Sequence, residues 1–155
     1  MTLRIRQFRD GDEAALLALF RNTIRNVNRR DYSAEQVRAW APDDIDPQHW
    51  QRRIRGIDPF VCESDGRIVG YADVQDNGYI DHFFVHHETQ GQGVGKTLFA
   101  AITQKAGELG IAELTSEVSI TARPFFEHMG FDVVRSQVVT MNDVELTNFR
   151  MRKAL

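Results

Sequence analysis

The sequence predicts a single α+β domain, residues 1–155, built on a mixed, mostly antiparallel central sheet flanked by helices. Three observations lead there. Apolar segments separated by Asp-Gly and Asn-Gly turns read as an antiparallel meander over residues 60–85. From residue 94 onward helical and strand patterns alternate, which requires mixed strand order and helices on both faces. The chain has 155 residues, 42% hydrophobic and 26% charged, enough to bury one real core without disulfide or metal staples.

Residues 2–8 alternate polar and apolar and predict a strand. Asp10-Gly11-Asp12 breaks it and offers a helix cap. Ala14, Leu17, Ala18, Phe20, Arg21 and Ile24 then follow helical spacing, so a helix is expected over 12–26. Ser33 with Gln36 three residues later is a capping box, and the short helix it starts should end near Trp40, before Pro42. Asp46-Pro47 starts another helix, expected to stop at Gly56. Residues 60–63 and 68–74 pair across the Asp65-Gly66 turn. Asp76-Asn77-Gly78 turns the chain into one further strand, 79–85. A Gly-rich loop leads into a helix over 94–109, with Leu98, Ala101, Ile102 and Lys105 along one side and Gly110 ending it. A strand over 113–119, a helix over 123–129 closed by Gly130, a strand over 131–139, a turn at Met141-Asn142-Asp143 and a strand over 144–151 complete the chain.

Composition removes several function classes. No apolar run approaches the roughly 18 residues of a membrane span, and the N-terminus does not read as a secretory leader. A lone cysteine, Cys62, excludes an internal disulfide and a thiolate metal cluster, so the cytoplasm is the default compartment. The net charge of −3 argues against a nucleic-acid partner. The basic residues are 16 Arg and 3 Lys, and residues 21–55 hold eight Arg against five acids. That surplus fits a solvated helical face or a rim that attracts anions. His86-His87-Glu88 has the residue types of a metal site, but adjacent histidines on an extended segment should point apart, so no metal is expected.

The chemistry concentrates in Gln90-Gly91-Gln92-Gly93-Val94-Gly95-Lys96-Thr97, between a strand and a helix. Alternate glycines let a ligand approach the backbone, and the helix start turns free N–H groups and a positive dipole end toward it. Together they make an anion cradle. A Walker A loop needs Gly at position 90, which is Gln, and a dinucleotide fingerprint needs G-x-G-x-x-G where this chain has G-x-G-x-G. The pattern Gln/Arg-x-x-Gly-x-Gly/Ala does fit, on Gln90, Gly93 and Gly95. It is the pyrophosphate loop of the GNAT superfamily of N-acetyltransferases, which this sequence resembles. Ala122-Arg123-Pro124-Phe125-Phe126-Glu127-His128-Met129-Gly130-Phe131 resembles that family's second signature, and Tyr32-Ser33-Ala34-Glu35-Gln36-Val37-Arg38-Ala39-Trp40 resembles a small bacterial subgroup.

The resemblance implies transfer of an acetyl group from acetyl-CoA to a primary amine of a small molecule or peptide, by direct attack in a ternary complex and without a metal. It places the pantetheine arm along Phe83, Phe84 and Val85, with the Val85 N–H facing the thioester oxygen. It places the pyrophosphate on the loop from Gly91 through Lys96, with Gln90 and Thr97 beside it and Phe126 packed on the cofactor. Asp81 is the first candidate base and Glu117 the second. Tyr32, Trp40 and His82 are candidates for the acceptor pocket. One departure stands out: the signature's Tyr, often the acid that protonates the leaving thiolate, is Phe126 here. That departure also suits a non-catalytic acyl-CoA-binding module. A homodimer through the C-terminal strand is compatible with the pattern.

Overall fold

The computed structural model describes residues 2–155. In chain order its strands are β1 (Leu3–Gln7), β2 (Phe60–Ser64), β3 (Arg67–Ala72), β4 (Tyr79–Ile80), β5 (Phe83–Val85), β6 (Glu113–Ser119), β7 (Asp132–Met141) and β8 (Val144–Ala154). The helices are α1 (Glu13–Asn26), α2 (Ala34–Trp40), α3 (Pro47–Ile57), α4 (Val94–Glu108) and α5 (Arg123–His128), with a short 3-10 turn at Asn28–Arg30. Two four-stranded sheets result, in the orders β1-β2-β3-β5 and β4-β6-β8-β7. Every pairing is antiparallel except β4 with β6.

The expected single strand over 79–85 is broken. Its first half pairs with β6 in one sheet and its second half with β3 in the other. Asp73 supplies the physical reason. Its carboxylate is fully buried, and Oδ1 accepts the N–H groups of Asp81 (3.1 Å) and His82 (2.6 Å). A side chain thus takes donors that a continuous strand would give to a neighbour, and the chain kinks between the sheets.

Helix starts follow their local signals with one exception. Ser33 and Gln36 form the capping box, and Asp46 caps α3 ahead of Pro47. Asp12 sits at the start of α1 but its side chain caps nothing. It accepts Arg6 Nη1 and Nη2 at 2.8 and 2.9 Å, and the guanidinium holds its carboxyl below the ordinary range. Helix α3 passes through Gly56 and stops at Asp58, which adopts φ 45°. In α4 the buried stripe is Leu98, Phe99, Ile102 and Ala106, so Phe99 and Ala106 take the place expected of Ala101 and Lys105. Lys105 instead lays its ammonium over the Phe60 ring.

Helices cover both faces. One core joins α4 and α5 to the sheets through Cys62, Val69, Leu98, Ile102, Leu114 and Phe126. The other joins α1, α2 and α3 through Leu16, Ile24, Trp50, Ile54, Val61 and Tyr71. Strand β8 lies between β6 and β7, so the C-terminal strand has no free edge for pairing with a second copy; that edge belongs to β7. Among the described residues no helix is long and apolar enough to cross a membrane.

Candidate active site

The two sheets meet at the kink, where β4 of one sheet runs on into β5 of the other, and β4 is held to β6 at Tyr79–Thr115 and Ile80–Ser116. The Ser116 hydroxyl donates to the Ile80 carbonyl at 2.9 Å and closes this end. Beyond it β5 follows β3 while β6 follows β8, and a cleft of about 1150 Å³ opens between them.

Ladder alternation decides what β5 shows the cleft. Asp73 N–H bonds His82 O, and His86 N–H bonds Val69 O, so Tyr71 and Phe84 form the hydrogen-bonded pair between them. The backbone groups of Phe83 and Val85 therefore point away from β3, into the opening. The Val85 carbonyl is already taken, by the Thr23 hydroxyl (2.9 Å) and by Gln90 Nε2 (2.8 Å). Gln90 thus ties the loop to the strand.

Each glycine of the loop has its own reason. Gly91 and Gly93 adopt φ 72° and 88° with open space where a Cβ would stand. Gly95 has ordinary dihedrals, but a Cβ there would press on the Phe125 ring at 3.0 Å. Gly93 is the cap residue of α4, so the free N–H groups of the first helical turn face the same opening. Lys96 is exposed, lines the cleft and has no ion-pair partner among the described residues. Val94 is buried and lines the cleft too. Gln92 and Thr97 are not part of its lining; the Thr97 hydroxyl donates back to the Gly93 carbonyl at 2.8 Å.

The structure brings the remaining candidates to the same cleft. Asp81 sits in the kink, its two oxygens 3.2 and 3.1 Å from Arg53 Nη2 of α3. Glu117 is exposed on β6, and its side chain makes no hydrogen bond among the described residues. His82 is buried among Phe20, Trp50, Tyr71 and Phe84, with Nδ1 2.9 Å from the Tyr71 hydroxyl. Burial pushes its pKa down to about 4, so the ring is neutral at pH 7. Tyr32 is buried with its hydroxyl saturated: it accepts the Ile120 N–H and donates to the Thr147 carbonyl. Its ring meets half-buried Trp40 edge-on at 5.5 Å. Phe126 is 3% exposed, packed on Phe83 and Phe131.

Sequence reading missed the groups that hold these in place. Thr23, Asn28 and Arg53 reach the site across long sequence separations, while Tyr71, Asp73 and Gln75 reach its frame from the end of β3 and the turn after it. Asp73 alone left a trace, an acid at the end of the apolar run Val69-Gly70-Tyr71-Ala72. Ser119, just ahead of α5, accepts the Ala122 N–H at 3.0 Å and meets Asn28 Nδ2 at 3.4 Å.

Burial raises the Asp73 pKa to about 6 from an ordinary 3.8. Its contribution to stability is present below pH 3.8 and lost as pH rises through about 6. His82 has the opposite sign: its contribution is present above 6.5 and lost as pH falls through about 4. The two offset each other over one window. Asp73→Asn removes one of them. The variant's unfolding free energy relative to wild type should therefore rise by about 3 kcal/mol between pH 4 and 7. Urea titrations at several pH values measure this, and a difference that stays flat with pH refutes the shift.

The His86-His87 expectation needs correction. The rings stack, 4.5 Å apart and 18° from parallel. The chain leaves the β3 ladder at His86 and turns at once, with Thr89 N–H bonded to His86 O at 3.0 Å, so the segment is not extended. Ligand atoms of His86, His87 and Glu88 come within 4.8 Å of one another. Arg67 Nη2, however, stands 3.0 Å from His86 Nε2 and 3.7 Å from Glu88 Oε1, so a cation already occupies the position a metal would need.

Comparison with known proteins agrees with this geometry. Residues 28–153 match the family model described as an acetyltransferase (GNAT) domain. The uncharacterised N-acetyltransferase YafP of Escherichia coli (strain K12) is 33% identical over 150 residues, 97% of this chain and 95% of the relative. The aminoglycoside N(6')-acetyltransferase type 1 of Stenotrophomonas maltophilia is 30% identical over 114 residues, 61% of this chain and 74% of that protein. A GCN5-related N-acetyltransferase of Rhodopseudomonas palustris superposes with a TM-score of 0.95 at 32% identity, covering 100% of this chain and 97% of that one. The PaiA N-acetyltransferase of Thermoplasma acidophilum, solved with coenzyme A, superposes at 0.76 with 18% identity, covering 100% of both chains.

Proposed function

This chain belongs to the GNAT family of acetyltransferases, and from that premise we propose that its cleft holds acetyl-CoA along β5 and passes the acetyl group to a primary amine of a small molecule or peptide. The parted strands carry this reading. They turn the backbone of Phe83 and the N–H of Val85 away from β3, beside a glycine loop whose N–H groups open into the same cleft. The loop fits a pyrophosphate, because Gly91 and Gly93 keep clear the space that side chains would fill. Lys96 adds an unpaired positive charge at its rim.

The reaction needs three things from the chain. The Val85 N–H stabilises the oxygen of the tetrahedral intermediate. A base removes a proton from the attacking ammonium, directly or through water; Asp81 is assigned that role, with Glu117 second. The thiolate leaves without a protein acid, because Phe126 has no proton to give, and takes its proton from water. CoA is a good enough leaving group for this. Tyr32 acts by bracing, since both sides of its hydroxyl are bonded, while Trp40 and His82 wall the acceptor side. The reducing cytoplasm suits the lone buried Cys62.

Calorimetry with CoA and acetyl-CoA is expected to show binding, and Gly93→Val should weaken it at least tenfold by filling the cradle and straining φ 88°. Release of CoA thiol in the presence of a primary-amine panel should follow. No heat of association at millimolar ligand would refute the assignment. Binding without turnover for any amine would leave only an acyl-CoA-binding module.

A further inference from the structure

We infer that His82 is a hydrogen-bond donor held in one tautomer in the acceptor half of the cleft, and that the acceptor is a primary amine carrying an oxygen that receives this bond. The inference rests on the acetyltransferase reading and deepens it.

The tautomer follows from Tyr71. Its side chain is wholly buried, and among the described residues its hydroxyl has one hydrogen-bond partner, His82 Nδ1 at 2.9 Å. If Nδ1 carried the proton, the phenolic O–H would have no acceptor in an apolar core. The O–H therefore donates and Nδ1 accepts. A neutral imidazole with Nδ1 accepting carries its proton on Nε2.

The charged groups around the ring leave it neutral. Asp81, its neighbour in the kink, favours the imidazolium, while Arg53 from α3 opposes it and burial outweighs both. Asp73 from the end of β3 is engaged by the backbone N–H of His82 rather than by the ring. Phe20, Trp50 and Phe84 pack within 5.7–6.0 Å of the imidazole centroid and keep it from turning over.

Among the described residues Nε2–H has no hydrogen-bond partner, the nitrogen is not sealed from solvent, and the residue lines the cleft. Its partner must be an acceptor atom. An ammonium has no lone pair to offer. The thioester oxygen is served by the Val85 N–H on the strand's edge, whereas the His82 ring lies on the face toward α1 and α3. Solvent meets this need while the cleft is open; a substrate that displaces the solvent must meet it with an oxygen of its own: hydroxyl, carbonyl or carboxylate. The same reasoning excludes His82 as the base, because the nitrogen that faces the substrate already holds its proton.

Long-range proton–nitrogen correlation spectra of the histidine-labelled wild-type protein read the tautomer directly. The Nε2–H pattern is expected for His82 throughout pH 5.5–8, and Tyr71→Phe should release it into a mixture. An Nδ1–H ring, or an imidazolium at pH 7, overturns the inference while leaving the acetyltransferase reading intact. Kinetics supply the second arm. Within a primary-amine panel, 1-amino-2-propanol should exceed its isosteric partner isobutylamine in kcat/KM by at least tenfold. His82→Phe should bring that ratio near one, with acetyl-CoA binding by calorimetry unchanged. Equal rates for the two amines in the wild type overturn the acceptor class. Failure of acetyl-CoA binding, or of turnover with every amine, overturns the underlying reading instead.

Discussion

Gly78→Ala is expected to lower the unfolding free energy by about 3 kcal/mol, more than any other glycine-to-alanine change in this chain. Gly78 adopts φ 85°, and a Cβ there would collide with the Glu113 carbonyl oxygen and approach Ile111 at 3.0 Å. Both neighbours are fixed. The Gly78 carbonyl accepts the Thr115 N–H at 3.0 Å, which begins the parallel pairing of β4 with β6. Relief would require β4 to back away from β6 at the point where the cleft closes, so affinity for acetyl-CoA should fall as well. Gly66→Ala is the control, since Gly66 has φ 78° with open space around it. It should cost only about 1 kcal/mol, the dihedral strain alone. Urea unfolding of the two variants separates collision from strain, and equal losses would show that the contact with Glu113 carries no energy.

Asp81→Asn should reduce kcat/KM for the best amine of a panel by about 10²-fold or more, with acetyl-CoA binding unchanged. Asp81 is only partly exposed, held at the kink by Asp73 and faced by Arg53. Arg53 Nη2 meets both oxygens, yet each oxygen keeps lone-pair capacity for a water that relays the ammonium proton. The substitution is nearly isosteric and removes the basicity while retaining an oxygen for Arg53. Glu117→Gln is the matched comparison on the opposite wall of the cleft. A loss below tenfold in Asp81→Asn removes it from the mechanism, and a large loss in Glu117→Gln then moves the role to that side.

Local signals in the chain were legible wherever the cause is local. The capping box of Ser33 and Gln36, the Asp46-Pro47 start, the Gly110 and Gly130 stops and the turn at Met141-Asn142-Asp143 each depend on a few neighbouring residues. The glycine loop was legible for the same reason. The break at Asp81–His82 was not, because it is made by a carboxylate eight residues upstream that acts only once β3 is in place. The seven residues from Tyr79 to Val85 keep a strand-like pattern on both sides of the kink, so nothing in them announces a change of sheet. Arg53, Thr23 and Asn28 lie on helices whose sequences look like ordinary amphipathic surface, and only tertiary packing turns them toward the cleft. The opposite error occurred at His86 and His87, where a strand pattern continued by one residue into a turn and gave the rings the wrong relation.

Dividing one sheet into two creates a pair of raw β margins inside the molecule, one along β5 and one along the last residues of β6. Such margins ordinarily invite a neighbouring chain to add itself, the first step toward aggregation. Here the inner flank of β5 is three residues long and roofed by α1 and the loop, while β6 ends at the Ser119 turn into α5. A foreign polypeptide finds no length on which to zip. A slender, flexible, amide-bearing chain needs far less, and the cofactor site proposed along β5 would use this margin for a guest too thin to be another protein.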